Sequence, residues 1–336
     1  MDIHESVNPA VSRNAAQLSA RFASARPFPH VVIDEFLSEP FCAEICRQFP
    51  AFSATGAVNE DGRVGGKAVQ EKVRGLGPAF KQLDDLVQSE DFLDLVGRIT
   101  GIEQLRYDPW YFGGGTHENL QGQDLDAHID FNYHPLTRQH RRLNLIIYLN
   151  EQWQDEWGGS LQLHRDPTLP PQSDEIVTVT PLLNRCVIFE TSERSWHGFR
   201  RIDLPADRQH LSRRSFAVYF YTDSRPAEQT ADEHSTIYIE RHLPERFAPG
   251  RTLDEADLLE LRNLLARRDQ HLQRLYRQLE NANTRLSRSG LYAMEMRLRR
   301  RLNELERSSS WLLAAPVRAL RRLLKRGNGG PSQRHG

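Results

Sequence analysis

Residues 141–150, RRLNLIIYLN, decide how this chain is read. They form a short apolar run bounded by charge and asparagine. Four more runs follow: GGSLQLH (158–164), EIVTVTP (175–181), RCVIFET (185–191) and RRSFAVYFYT (213–222). Gly, Pro, Asn and charged turns separate them. Short strands at this spacing predict an antiparallel barrel or sandwich, not a series of βαβ units.

Working outward, PFPHVVIDEFLSEPFCAEICRQFP (27–50) predicts a strand over His30–Ile33 and then a helix. Ser38 is placed to cap that helix, with Pro40 in its first turn. FKQLDDLVQSEDFLDLVGRITG (80–101) has apolar residues at helical spacing and a C-cap glycine at Gly101. Residues 1–26 read as a flexible, loosely helical leader.

The 336 residues are 38% apolar, enough for one large domain or two ordinary ones, and carry a net charge of −1. No run approaches the twenty or so apolar residues of a membrane span. The first twenty residues lack the apolar core of a secretory signal. Cys42, Cys46 and Cys186 cannot pair without leaving one over, so they read as reduced thiols in a cytosolic chain.

The overall charge balance hides two different parts. Residues 251–336 hold 19 Lys/Arg against 9 Asp/Glu, and the remainder holds 25 against 36. An acidic body and a basic tail with a boundary near 248 follow. In the tail Leu258, Leu261, Leu265, Leu272, Leu275, Leu279 and Leu286 step by threes and fours, with Arg268 and Ala282 in the remaining seam positions. This predicts a coiled coil over 251–307, and hence a homo-oligomer. Gly290 is expected to interrupt it before a second run through Leu291, Met294, Leu298, Leu302 and Leu305.

The end, 308–336, contains WLLAAPVRALRRLLKR, a basic amphipathic segment suited to an anionic membrane surface, here the inner face. Its arginines lack interleaved aromatics, so nucleic acid is not expected as a partner.

Chemistry concentrates in DAHIDFNYHP (126–135). Residues two apart on a strand share a face, so His128 and Asp130 can aim an imidazole and a carboxylate at one point. A histidine from a later strand would complete a facial triad with open positions for iron(II) chemistry. SERSWHGFR supplies His197 after CVIFE. A keto acid bound there leaves a distal carboxylate, which a guanidinium fork matches. Arg213 and Arg214 begin a strand soon afterwards, and Tyr148 offers a phenol. His134, His140 and His164 read as surface or strand-end residues, and Asp126 as a solvated or supporting carboxylate.

GQDLDAHIDFN, RRLNLIIYLNEQWQDEWGGSLQLH, RCVIFETSERSWHGF and RRSFAVYFYT together resemble the iron(II)/2-oxoglutarate dioxygenases of the prolyl 4-hydroxylase-like group. VVIDEFLSEPFCAEICRQFP resembles that group's strand–helix opening, so the resemblance runs over about 27–248. It implies a mainly β fold with supporting helices: a double-stranded β-helix, or jelly roll, followed here by the helical tail. It implies that His128, Asp130 and His197 hold iron, and that Arg213 and Tyr148 hold the distal carboxylate of 2-oxoglutarate. Gly158 and Gly159 match the group's turn before a barrel strand.

The resemblance further implies O2 as co-substrate, ascorbate as an optional reductant, and release of succinate and carbon dioxide as a C–H bond is hydroxylated. The substrate it suggests is a prolyl or other protein residue. Alternatives are a glycan precursor or small metabolite at the membrane, and a non-catalytic coiled-coil scaffold. The insertion RRIDLPADRQHL (200–211) lengthens the His197-to-Arg213 spacing beyond that usual in the group. A strand shifted by one residue would put Arg214 in place of Arg213. WYFGGGTHENLQGQD (110–124) lacks the group's tyrosine segment, and Tyr111 is the candidate there.

Overall fold

A computed structural model describes residues 3–52, 68–239, 243 and 246–306. The chain divides into two compact units, Met1–Arg251 and Thr252–Gly336.

In the first unit the elements run α1 (Ile3–Ser6), α2 (Pro9–Arg13), α3 (Ala15–Ser24), β1 (His30–Ile33), α4 (Glu39–Arg47), β2 (Ala68–Gln70), α5 (Pro78–Val87) and α6 (Glu90–Thr100). The strands β3 (Arg106–Tyr107), β4 (Gly115–Asn119), β5 (Leu125–Ile129), β6 (His140–Tyr148), β7 (Leu161–His164) and β8 (Ile176–Val179) follow. β9 (Cys186–Glu190), β10 (Trp196–Phe199), β11 (Arg213–Thr222) and β12 (Ile237–Tyr238) complete the set.

Two sheets result. The larger has the order β1-β9-β6-β11-β4-β2, with β3 also on β11, and the smaller β12-β5-β10-β7-β8. All pairings are antiparallel. This is the mainly antiparallel architecture that the five apolar runs predict, with the helices and jelly-roll-like form that the resemblance implies.

The central strands are apolar on both faces because each face meets a different layer. Leu143, Leu145 and Ile147 of β6, Cys186 and Ile188 of β9, and Phe216, Val218 and Phe220 of β11 pack in one cluster with Phe80, Leu83, Phe92 and Val96 of the helices. The alternate residues turn the other way. Tyr148, Val187 and Phe189 pack with Leu161 and Leu163 of the smaller sheet, and Ala217, Tyr219 and Tyr221 form a further interior cluster. Each of these buried side chains contributes about 1.5–3 kcal/mol, so the large sheet is a rigid platform.

The helical side differs from the sequence expectation in three ways. Residues 3–26, expected as part of a flexible leader, are instead ordered: the α1–α3 segment buries Val7, Val11, Leu18 and Phe22 in the helix–sheet core. Each of these helices is short, and much of their packing is against α6, far along the chain. Ser38 sits at the N-cap of α4 but makes no capping bond; its hydroxyl donates to the Glu5 carbonyl at 2.8 Å. The 80–101 run is two helices, because Ser89 accepts from Phe92 N and starts a new one, which Gly101 closes at φ 71°.

In the second unit α7 runs unbroken from Glu255 to Glu306. Gly290 does not interrupt it: one glycine costs about 1 kcal/mol, too little to break a long helix. Leu258, Leu265, Leu272, Leu275 and Leu279 are all exposed. The coiled coil remains an expectation. The basic segment 308–336 lies outside the described residues. Among the described residues no helix is long and apolar enough to cross a membrane.

Candidate active site

The site is built where the two sheets face each other. β5 ends at Ile129, so His128 and Asp130 lie at one strand end. β10 pairs with β5 with His197 opposite His128. A turn closed by Ser195, whose hydroxyl exchanges hydrogen bonds with the Ser192 backbone, separates β9 from β10. His197 is therefore not the end of the CVIFE strand but part of its own strand in the other sheet. Gly198 is required beside it, since a Cβ there would lie 2.6 Å from the Leu125 carbonyl oxygen.

These pairings bring His128 Nε2 to 3.8 Å from Asp130 Oδ1, and His197 Nε2 to 3.5 Å from Asp130 Oδ2. Among the described residues this trio is the group that could hold a metal ion, with one ligand atom from each within 4.8 Å of the others.

The donor chemistry fits a metal. His128 Nδ1 lies 2.9 Å from the Asp126 carbonyl oxygen, and His197 Nδ1 lies 2.8 Å from that of Ser195. A carbonyl only accepts, so Nδ1 carries the proton in both rings and the Nε2 lone pairs face the carboxylate. Asp126 thus supports the site through its backbone. Burial lowers the His197 pKa, which favours its neutral form, against the pull of Asp130. Burial alone would raise the Asp130 carboxyl. Arg141, His197, His128 and the Asn144 amide outweigh it and hold the group well below the usual carboxylate range.

Arg141 was not singled out in the sequence. It is fully buried, and its Nη2 lies 3.1 Å from Asp130 Oδ2. Its Nε and Nη2 donate to Asn144 Oδ1 at 3.1 and 2.7 Å, and Asn144 Nδ2 donates to Asp130 Oδ2 at 2.8 Å. The guanidinium carbon lies 3.6 Å from the Tyr219 ring centroid and 4.5 Å from that of Phe131.

Further along the interior face of β6 lies a second guanidinium. Arg213 Nε donates to the Gly159 carbonyl at 2.6 Å, and Nη2 donates to the Tyr148 hydroxyl at 3.2 Å. The Phe199 and Tyr148 rings lie against it. Among the described residues no carboxylate pairs with it, and burial lowers its pKa. Arg214 points outward and pairs with Glu118 at 3.0 Å. The doubled arginine is thereby resolved: Arg213 is the interior one.

Gly158 and Gly159 do more than turn the chain. Gly158 has φ 68°, and a Cβ on it would sit 1.9 Å from the Arg201 carbonyl oxygen. This close approach lets the 200–211 insertion fold down, with Ile202 and Leu204 packed on Trp153, Trp157 and Phe199. The insertion thus packs behind Phe199, whose ring lies against Arg213.

Other candidates lie elsewhere. His134 is buried, not on the surface: its Nδ1 accepts from Leu136 N and Thr137 N, and its Nε2 lies 3.3 Å from Asp108. It caps a turn. His164 Nδ1 lies 2.8 Å from Asp174 Oδ2. The Tyr111 hydroxyl donates to Asp84 on the helical side, away from the triad. Tyr238 of β12 stacks on the His128 ring at 5.0 Å, a contact with no local sequence signal.

Residues 115–221 match the family model of the 2OG-Fe(II) oxygenase superfamily. No curated protein matches the chain. Among solved structures, the chain is similar to a prolyl hydroxylase from Trichoplax adhaerens in complex with a hypoxia inducible factor peptide fragment. That match has 18% identity and TM-score 0.44, covering 64% of this chain and 91% of that one. It is also similar to a Pseudomonas putida prolyl-4-hydroxylase, with 19% identity and TM-score 0.40, covering 62% and 98%. HygX from Streptomyces hygroscopicus, with nickel and 2-oxoglutarate bound, matches with 12% identity and TM-score 0.39, covering 61% and 91%. Over residues 115–221 the chain is thus similar to the 2OG-Fe(II) oxygenase superfamily, enzymes that use iron(II) and 2-oxoglutarate, and its His128–Asp130–His197 trio is a donor set that could hold the metal.

Proposed function

We propose that the chain hydroxylates a prolyl or other protein residue, with His128, Asp130 and His197 as iron ligands and Arg213 and Tyr148 as the 2-oxoglutarate anchor. The observation that carries the anchor is the buried Arg213 guanidinium, which has no carboxylate partner among the described residues. A buried unpaired charge is costly, so a site that keeps one is built for an anion supplied from outside. Two of its nitrogens are taken by the Gly159 carbonyl and the Tyr148 hydroxyl, which aim the fork.

Iron(II) bound by the trio, with 2-oxoglutarate, supplies the oxidising chemistry: the keto acid and O2 give succinate and carbon dioxide as one oxygen atom enters the substrate C–H bond. The chain's own residues orient and enclose. Asp126 and Ser195 carbonyls fix the imidazole rings, Asn144 and Arg141 hold the carboxylate, and Phe189 packs on the His197 ring at 4.8 Å to exclude water. No side chain need act as a general base. Ascorbate would serve only to keep the iron reduced.

The protein-residue reading rests on the motif resemblance to the prolyl 4-hydroxylase-like group. The exposed Trp110 and Phe112, the latter edge-on to Phe131 beside Asp130, suit an apolar ring or side chain. Succinate release with iron(II), 2-oxoglutarate and a panel of prolyl peptides and nucleotide sugars tests it. Stimulation by a peptide supports the reading; stimulation by a sugar nucleotide alone replaces it with the glycan-precursor alternative. The exposed leucine seam of α7 supports self-association of the chain. Leu265→Glu with Leu272→Glu should then reduce the mass in solution to that of a monomer.

A further inference from the structure

Asp130 has two oxygens, and the protein treats them differently. Oδ2 accepts from Asn144 Nδ2 at 2.8 Å, meets Arg141 Nη2 at 3.1 Å and lies 3.5 Å from His197 Nε2. Oδ1 has no hydrogen-bond donor among the described residues; its near neighbour is His128 Nε2, at 3.8 Å. Arg141 is itself fixed, by two bonds to Asn144 Oδ1 and by the Tyr219 and Phe131 rings on its plane. The group is thus a closed ring of three side chains: Arg141 donates to Asn144, Asn144 donates to Asp130, and Arg141 also faces Asp130.

An amide has one donor end and one acceptor end, and here both are used. A carboxylate free to rotate could chelate a metal with both oxygens. Three protein donors leave three of six octahedral positions, and a chelating keto acid with O2 needs all three. A second oxygen from Asp130 would take one of them.

We infer that Arg141 and Asn144 are positioning residues that occupy Oδ2 of Asp130, so that the carboxylate meets iron through Oδ1 alone and the third exchangeable position stays open. The inference rests on the reading of His128, Asp130 and His197 as the iron ligands. It assigns Arg141 a role as a clamp on a ligand, acting through Asp130 and touching neither metal nor keto acid.

The test is anaerobic titration of the full chain with iron(II), then with 2-oxoglutarate, read by the charge-transfer absorption of the chelated keto acid. Asn144→Ala and Arg141→Met should each weaken iron(II) binding about 10–100-fold. In both, the absorption at saturating iron should shift or fade, because a carboxylate free to chelate competes with the keto acid. Arg141→Lys keeps the charge without the fork and should restore affinity in part but not the wild-type absorption. Wild-type affinity and absorption in a folded Asn144→Ala protein would overturn the inference. If Arg141→Met does not fold, Asn144→Ala and Arg141→Lys decide by the same criteria. His128→Ala separates this from failure of the underlying reading: if it binds iron(II) as the wild type does, the ligand assignment itself is wrong.

Discussion

Two buried guanidiniums serve the same interior, and they are solvated in opposite ways. Arg141 sits at one end of β6 against Asp130, with the charge neutralised inside the protein. Arg213 sits beside Tyr148 at the other end, with neutral acceptors and no carboxylate among the described residues. From Asn144 to Tyr148 is four residues, about 13 Å of strand. Along that length the protein's own anion serves one end, and on the proposed function the other end takes an anion from solution. A buried charge that has its partner is structure. One that lacks it is a binding site.

The sharpest way to break this contrast is to remove the partner at the first end. Asp130→Ala leaves Arg141 buried and alone, and should cost about 3–5 kcal/mol of folding stability besides abolishing succinate formation. Thermal unfolding of the metal-free protein measures it; an unchanged melting temperature would mean that Arg141 is not held by Asp130. Arg213→Met should do the reverse. It removes an unpaired buried charge, so the ligand-free fold should be as stable or more so, while affinity for 2-oxoglutarate falls roughly 100-fold. Calorimetry with the metal-loaded protein reads that loss.

Smaller changes refine the second end. Tyr148→Phe deletes one neutral acceptor of the Arg213 fork and should weaken 2-oxoglutarate by about 1 kcal/mol, roughly fivefold. Arg214→Met should leave 2-oxoglutarate binding untouched and cost about 1–3 kcal/mol of stability, since Arg214 is half-exposed but its partner Glu118 is buried and keeps the Ser212 hydroxyl as donor. An effect of Arg214→Met on 2-oxoglutarate as large as that of Arg213→Met would erase the distinction between the two.

The two ends were also unequally legible in the sequence. Strand alternation accounts for Tyr148 on the interior face, because β6 and β11 keep register from Ser215–Tyr148 through Phe220–Leu143. Alternation fails just beyond. Phe220 and Tyr221 are consecutive on β11, yet their partners are Leu143 and Arg141, so Arg142 is an extra residue. A bulge of this kind flips the parity of the strand. It puts Arg141 on the face of Asn144, three residues away, where a period of two would put Arg142.

The triad itself was readable, since residue types and order along the chain carry it. What orients it was not. The ring-fixing acceptors are backbone carbonyls of Asp126 and Ser195, and Tyr238 reaches His128 from more than a hundred residues away. The α1–α3 segment is hard to read for a related reason. Its apolar residues pack on α6 as well as on the adjoining β1, and the α6 contacts lie outside any local window. The long helix α7 kept its leucine period visible, yet a single glycine was given too much weight against fifty-two helical residues.

On the proposed function, the His128–Asp130–His197 metal grip and the Arg213 anchor work as one site. Linkage between the two ligands tests it most directly: the affinity for 2-oxoglutarate measured anaerobically with and without iron(II), in wild type, His197→Ala and Arg213→Met. The account predicts tight, iron-dependent binding in wild type, loss of the iron dependence in His197→Ala, and weakened binding with iron affinity retained in Arg213→Met. Binding of 2-oxoglutarate that is indifferent to iron(II), or to the Arg213 substitution, would contradict it.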